Sequence, residues 1–202
     1  MSILNSLLLK TSSVKNICVL FVASHMVLLV MMLFTLPVIN DQIGTKVFDL
    51  QTFGYSLYEA ESIVDNLNNE TTALYLFPQL TLLDLLYPFL LALFLSSLLF
   101  RLIKITTSKG NVASILLVIP FVAMLFDYAE NICIILMISK SIEISETIVL
   151  LSSSFTVLKG VLTSIAWIVI LVYAIKWFRM KIIERNNKQA VSHYPKSAGN
   201  KL

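Results

Sequence analysis

The stretch Val112–Ile138, VASILLVIPFVAMLFDYAENICIILMI, decides how this chain is read. It is long enough to cross a hydrocarbon core, which takes about 20 mostly apolar residues. It contains no basic residue, yet it carries Asp127, Glu130 and Asn131 near its middle. These three stand in the i, i+3, i+4 relation, so a helix puts them on one face. A segment that must be helical in lipid and that keeps two carboxylates together predicts a bundle with a polar interior.

Three further segments meet the same length: Ile17–Ile39, Leu80–Leu102 and roughly Ile148–Tyr173. The composition agrees, with 57% hydrophobic and 13% charged residues and a mean hydropathy of +0.85. A soluble domain averages about 45–50% apolar and about 25% charged residues, so this chain lacks the charge to build a water-facing surface. Five glycines and five prolines leave few turns between long elements. The expected fold class is all-α, a polytopic four-helix transmembrane bundle spanning residues 1–185. Residues 186–202 are expected to form a disordered basic cytoplasmic tail, being polar and without periodicity. The first span follows Lys10 and Lys15 as a signal peptide would. However, its apolar run exceeds the ~7–15 residues of a signal core and no small-x-small cleavage pattern follows, so it is read as a retained span.

The placement of Lys and Arg sets an expected orientation. Lys10, Lys15, Arg101, Lys104, Lys109 and the tail cluster Lys176, Arg179, Lys181, Arg185, Lys188, Lys196 and Lys201 fall on one side. Lys46 and Lys140 alone fall on the other. Both termini are therefore expected to be cytoplasmic in a cell membrane, a bacterial inner membrane. The net charge of +3 and the basic tail read as a topology anchor that meets anionic headgroups, with no nucleic-acid partner. Tyr173, Trp177 and Phe178 mark the inner interface. Cys18 and Cys133 lie near opposite membrane faces, on the order of 20 Å apart along the helix axes, which is beyond disulfide reach.

The outer loop, residues 40–79, is more than a linker. Ser56-Leu57-Tyr58-Glu59 is a capping box. The helix it opens has Leu57, Ala60, Val64 and Leu67 on one face and Glu61 and Asp65 on the other. Gly54 permits the turn before it, the run Asn66–Asn69 ends it, and Thr71 is positioned to cap a second short helix. Pro78 either opens the second span or kinks its entry. Asn69-Glu70-Thr71 fits a glycosylation sequon, a pattern common by chance.

Charges at mid-bilayer cost about 2.5–3.5 kcal/mol each on insertion scales, and so face the bundle interior. The candidates here are Asp84, Asp127, Glu130 and Lys159, with Tyr87 and Asn131 beside them. His25, alone in an apolar helix, reads as a packing residue. Asp127 lies about 16 Å and Lys159 about 15–18 Å below the outer boundary, which makes them an ion pair. Asp84 and Glu130 are then expected as a shallower acidic pair. With Asn131 they would line an outward-facing pocket under the Leu57–Leu67 helix. Gly160, beside the stripe Ser152, Thr156, Lys159 and Thr163, is read as a site of close helix approach.

Phe53-Gly54-Tyr55-Ser56-x-x-Glu59-Ala60, Leu83-Asp84-x-x-Tyr87-Pro88 and Phe126-Asp127-x-x-Glu130-Asn131 resemble motifs that recur, in this order, in small bacterial four-span membrane proteins of unknown function. The resemblance covers nearly the whole chain before the tail. It implies the same fold and topology and draws attention to Asp84, Asp127, Glu130 and Asn131, but implies no activity.

HExxH, CxxC, GxSxG and phosphate-loop motifs are absent from the sequence, so no metal or cofactor is expected. Three classes of function remain. The first is a binding or accessory protein whose cavity holds a lipid, a small hydrophobic molecule or a partner membrane protein. The second is an intramembrane enzyme acting on a lipid or isoprenoid, with Glu130 or Asp84 as acid/base. The third is a small proton-coupled transporter. Transport ranks lowest because no internal repeat is visible. Catalysis lacks a supporting motif, and the binding reading is favoured.

Overall fold

The computed structural model of the protein describes residues 2–106 and 111–192. Its helices are α1 (Ser2–Thr11), α2 (Val14–Ile43), α3 (Leu57–Asn66), α4 (Asn69–Ile105), α5 (Asn111–Leu116), α6 (Ile119–Ile138) and α7 (Glu146–Ser192). Among the described residues there is no strand. Four helical stretches are long and apolar enough to cross a membrane: α2, α4, residues 114–138 and α7. This is an all-α membrane protein built as a four-helix bundle. Helices α4, α6 and α7 pack on one another, while α2 docks chiefly on α4.

Two apolar cores lie at opposite ends of the bundle. The core at the loop end gathers Leu36, Ile39, Phe48, Ile63, Tyr75, Ile134 and Met137. The core at the other end gathers Leu8, Leu95, Leu99, Leu102, Ala166 and Ile170. There Thr11 and Ser97 share a 2.6 Å hydrogen bond, and Arg101 Nη1 donates to Ser12 O at 3.2 Å. Asp84, Asp127, Glu130, Asn131 and Lys159 form a polar layer between the cores.

The loop helix forms as the capping box requires. Ser56 N donates to Glu59 Oε2 at 2.7 Å, and Glu59 N donates back to Ser56 Oγ at 3.3 Å. The Ser56 backbone N–H, then its hydroxyl, hold the Glu59 carboxyl below its usual range. That cap is therefore fully in place above the ordinary carboxylate pKa and is lost as pH falls through the lowered folded value. Ala60, Ile63 and Val64 are buried, while Glu61 and Asp65 are exposed. The second short helix departs from expectation at its start. Asn68, not Thr71, is the N-cap, and Thr71 takes the reciprocal third position. That helix does not stop before the span; it runs into α4. The chain bends at Phe77, which leaves helical geometry (φ −144°, ψ 125°) ahead of Pro78.

Two stretches widen into π-helix, Met31–Thr35 in α2 and Tyr75–Leu83 in α4. Such turns misalign the backbone ladder and are common at functional sites. Here Thr35 Oγ1 and Gln79 Oε1, one from each stretch, are hydrogen-bonded to each other. At the far end of the chain α7 continues to Ser192, past Arg185, where order was expected to end. Glu184 bridges to Lys181 at 3.4 Å and to Lys188 at 3.3 Å, one helical turn away on either side, and such pairs favour helix locally. Lys109 and the tail from His193 lie outside the described residues.

Gly54 has φ +87°, and a Cβ there would lie 2.3 Å from Ser153 Oγ on α7. Gly44 also has positive φ, +70°, but open space around it. Gly54→Ala should therefore lower stability by more than about 1 kcal/mol. Gly44→Ala should cost less, as thermal unfolding in detergent would show.

Candidate functional site

The polar layer begins with an orphaned carbonyl. Pro88 has no N–H, so Asp84 C=O loses its helical donor. Asn131 Nδ2 on α6 approaches that oxygen at 3.5 Å, and Tyr128 Oη donates to the neighbouring Leu85 O at 2.8 Å. These contacts fix α6 against α4 one turn from Asp127. The Asp84–Pro88 spacing in the sequence is thus a docking point for the third span.

Lys159 reaches from α7 into the layer. Its Nζ lies 2.5 Å from Asp127 Oδ1 and 2.7 Å from Glu130 Oε2. The expected Asp127–Lys159 pair is present, but Glu130 shares the same ammonium. Thr156 Oγ1 also donates to Glu130 Oε1 at 2.7 Å, and the residue is fully buried. The expected shallow pair of Asp84 and Glu130 does not form. A lysine side chain is long enough to meet both carboxylates on one helix face, and burial without a partner would cost far more. Glu130 and Asn131 do not line the cavity.

Asp84 instead faces the loop and is buried. Its Oδ2 accepts from Gln79 Nε2 at 3.2 Å, and its carboxyl is within hydrogen-bonding reach of Asp49. Tyr75 Oη donates to Asp49 Oδ2 at 2.6 Å. Asp49 belongs to the 3-10 turn Phe48–Leu50, whose Phe48 is fully buried. This turn, rather than the Leu57–Leu67 helix, covers the site. Tyr55 packs its ring on Phe48 of this turn and donates from its hydroxyl to Ser152 Oγ on α7 at 2.6 Å. Burial pushes that hydroxyl well above the ordinary tyrosine value, so it stays a neutral donor.

A cavity of about 270 Å³ opens between the four long helices. Asp49, Asp84, Asp127, Lys159 and Tyr87 form its polar wall, and Leu28, Met31, Leu91, Leu95, Pro120 and Met124 form its apolar wall. Exposed Met32 and half-buried Met124 and Thr163 mark its edge, where α2 stands apart from α6 and α7. The expectation for Gly160 is overturned. A Cβ built there meets nothing within 4 Å, so no helix approaches it closely. Gly160 faces the cavity. Of the six expected site residues, the cavity brings together Asp84, Tyr87, Asp127 and Lys159.

Asp49 and Tyr75 carry no site signal in the sequence, Gln79 shows there only as a polar residue flanking an apolar run, and Thr156 only as a member of the Lys159 stripe. Asp49 and Tyr75 lie in the loop and its exit, where depth arguments give no signal. His25 packs between Phe21 and Phe94, with Nδ1 2.8 Å from Phe21 O. Cys18 and Cys133 are both free thiols. The chain matches no known family model, curated protein or solved structure. The fold and site define a membrane protein with a charged layer and a cavity among its helices.

Lys159→Met should destabilise the detergent-solubilised bundle by about 3–5 kcal/mol, since it leaves buried carboxylates unpaired. Because one ammonium serves two acids, adding Asp127→Asn should recover only part of the loss. Adding Glu130→Gln as well should recover most of it. Full rescue by Asp127→Asn alone, in chemical unfolding, would mean that Glu130 does not depend on Lys159.

Proposed function

We propose that this is a multi-pass membrane protein that binds a lipid or another small amphiphile in its intramembrane cavity, as a binding or accessory protein and not as an enzyme. Gly160 carries the reading. Mid-helix glycine costs roughly 0.5–1 kcal/mol relative to alanine, and no close packing at Gly160 offsets that cost. What the missing side chain provides is room in the cavity. The cavity walls suit an amphiphile, with carboxyls and a tyrosine on one side and Leu, Met and Pro on the other. The edge between α2 and the α6–α7 pair gives an acyl or alkyl chain a way out to lipid. Catalysis by Glu130 gains no support, since its carboxyl is engaged by Lys159 and Thr156 away from the cavity.

The proposed orientation keeps both termini cytoplasmic in a bacterial inner membrane, with the loop outside. The grouping of Lys10, Arg101 and the α7 basic cluster supports it, as do the contacts of Thr11 and Ser12 with α4. In a chain with Cys18 and Cys133 replaced by alanine, Glu61→Cys should react with an impermeant maleimide on intact cells. Gln189→Cys should react only after permeabilisation; the opposite pattern would overturn the orientation.

Two substitutions at one position test the binding reading. Gly160→Ala should stabilise the protein by about 0.4–1 kcal/mol. Gly160→Leu should keep the fold while filling the cavity. Native mass spectrometry of protein extracted in mild detergent should show a retained amphiphile on the parent chain, and its loss in Gly160→Leu. Equal retention in a folded Gly160→Leu protein would contradict the proposal.

A further inference from the structure

We infer that the cavity selects amphiphiles with a cationic head, an alkylammonium group on a single apolar chain; this rests on the binding reading above. Three observations converge on it. First, the cavity wall carries the carboxyls of Asp49, Asp84 and Asp127 against one ammonium, Lys159. Second, that ammonium is already divided between Asp127 and the fully buried Glu130. Asp49 and Asp84 are thus left without a basic partner of their own among the described residues that line the cavity. Third, Asp127 Oδ2 is a buried acceptor without a hydrogen-bond partner, on a side chain that lines the cavity.

Carboxyls at this depth are costly as bare charges, and a bound cation offsets that cost. An ammonium group supplies both a positive charge and N–H donors for the carboxyls of the cavity wall. Tyr87 is an aromatic residue of the same wall, and aromatic rings suit ammonium and quaternary ammonium heads alike. The volume of about 270 Å³ is at the lower limit of ligand pockets. It holds the head and the first part of a chain, and the remainder leaves past Met32 between α2 and the α6–α7 pair. An anionic head would meet Asp84 and Asp49 directly, with Lys159 already committed.

The test uses the full chain in nanodiscs of zwitterionic lipid and three photoactivatable probes of equal chain length: an alkylammonium, an alkyl alcohol and an alkyl sulfate. Labelled peptides are located by mass spectrometry. The expected result is labelling of cavity peptides containing Met31 or Met124 at least tenfold stronger with the ammonium than with the alcohol. The sulfate should label least. Gly160→Leu should abolish the labelling, and Asp49→Asn, a change in the covering turn, should weaken the preference for the cation. Equal cavity labelling by all three probes, lost in Gly160→Leu, would overturn the charge selectivity while leaving the binding reading in place. Cavity labelling no greater than that of lipid-facing peptides such as those containing Ile168, and unchanged in Gly160→Leu, would overturn both.

Discussion

One ammonium group holds the centre of this molecule together. Lys159 lies between Asp127 and Glu130, on a bundle where a charge at mid-depth is costly by itself. Sharing the lysine ties α7 to the third spanning segment in the polar layer that separates the two apolar cores. The arrangement also fixes what the neighbours can do. Glu130, engaged by Lys159 and Thr156, becomes part of the framework. Asp127 lines the cavity and keeps one buried oxygen without a hydrogen-bond partner. Both carboxylates on this helical face are thus engaged by Lys159, and of the two only Asp127 also lines the cavity.

The rest of the polar layer follows from backbone constraints. Proline at position 88 releases the Asp84 carbonyl, and Asn131 is drawn to it. π-Helical turns in α2 and α4 bring Thr35 and Gln79 into contact, and Gln79 in turn holds the Asp84 side chain. Asp49, from the loop, completes the wall. The covering turn is held from both sides, by Tyr75 on Asp49 and by Tyr55 on Ser152. In lipid each polar group needs a partner inside the protein. The network meets most of that demand through side chains from every long helix, leaving Asp127 Oδ2 and Asn131 Oδ1 without hydrogen-bond partners, and the cavity lies beside it.

The four helices were legible from length and apolarity, because lipid permits few alternatives to helix. The Asp127–Lys159 pair was legible from depth, since rise per residue is nearly constant. Depth and face do not tell how far a side chain reaches, so Glu130 was misplaced: an acid one turn away on the same face can share the lysine. The sign of Gly160 was hidden for a related reason. A glycine on a small-residue stripe reads as close packing, and only the three-dimensional neighbourhood shows open space instead. Asp49 lay in a loop to which no depth could be assigned. The π-helical turns left no trace in the sequence beyond nearby prolines. The helix past Arg185 was missed because the apolar pattern fades there, while Glu184 with Lys181 and Lys188 continues to favour helix.

An acidic cavity lies beside Gly160, and its accessibility and chemistry can be read at that position. In a chain with Cys18 and Cys133 replaced by alanine, Gly160→Cys can be treated with small methanethiosulfonate reagents carrying an ethylammonium or an ethylsulfonate group. The account predicts that the cationic reagent modifies the cysteine readily and at least several-fold faster than the anionic one, with Asp84→Asn narrowing the difference. A cysteine at position 160 inert to both reagents, or one that reacts faster with the anion, would contradict it.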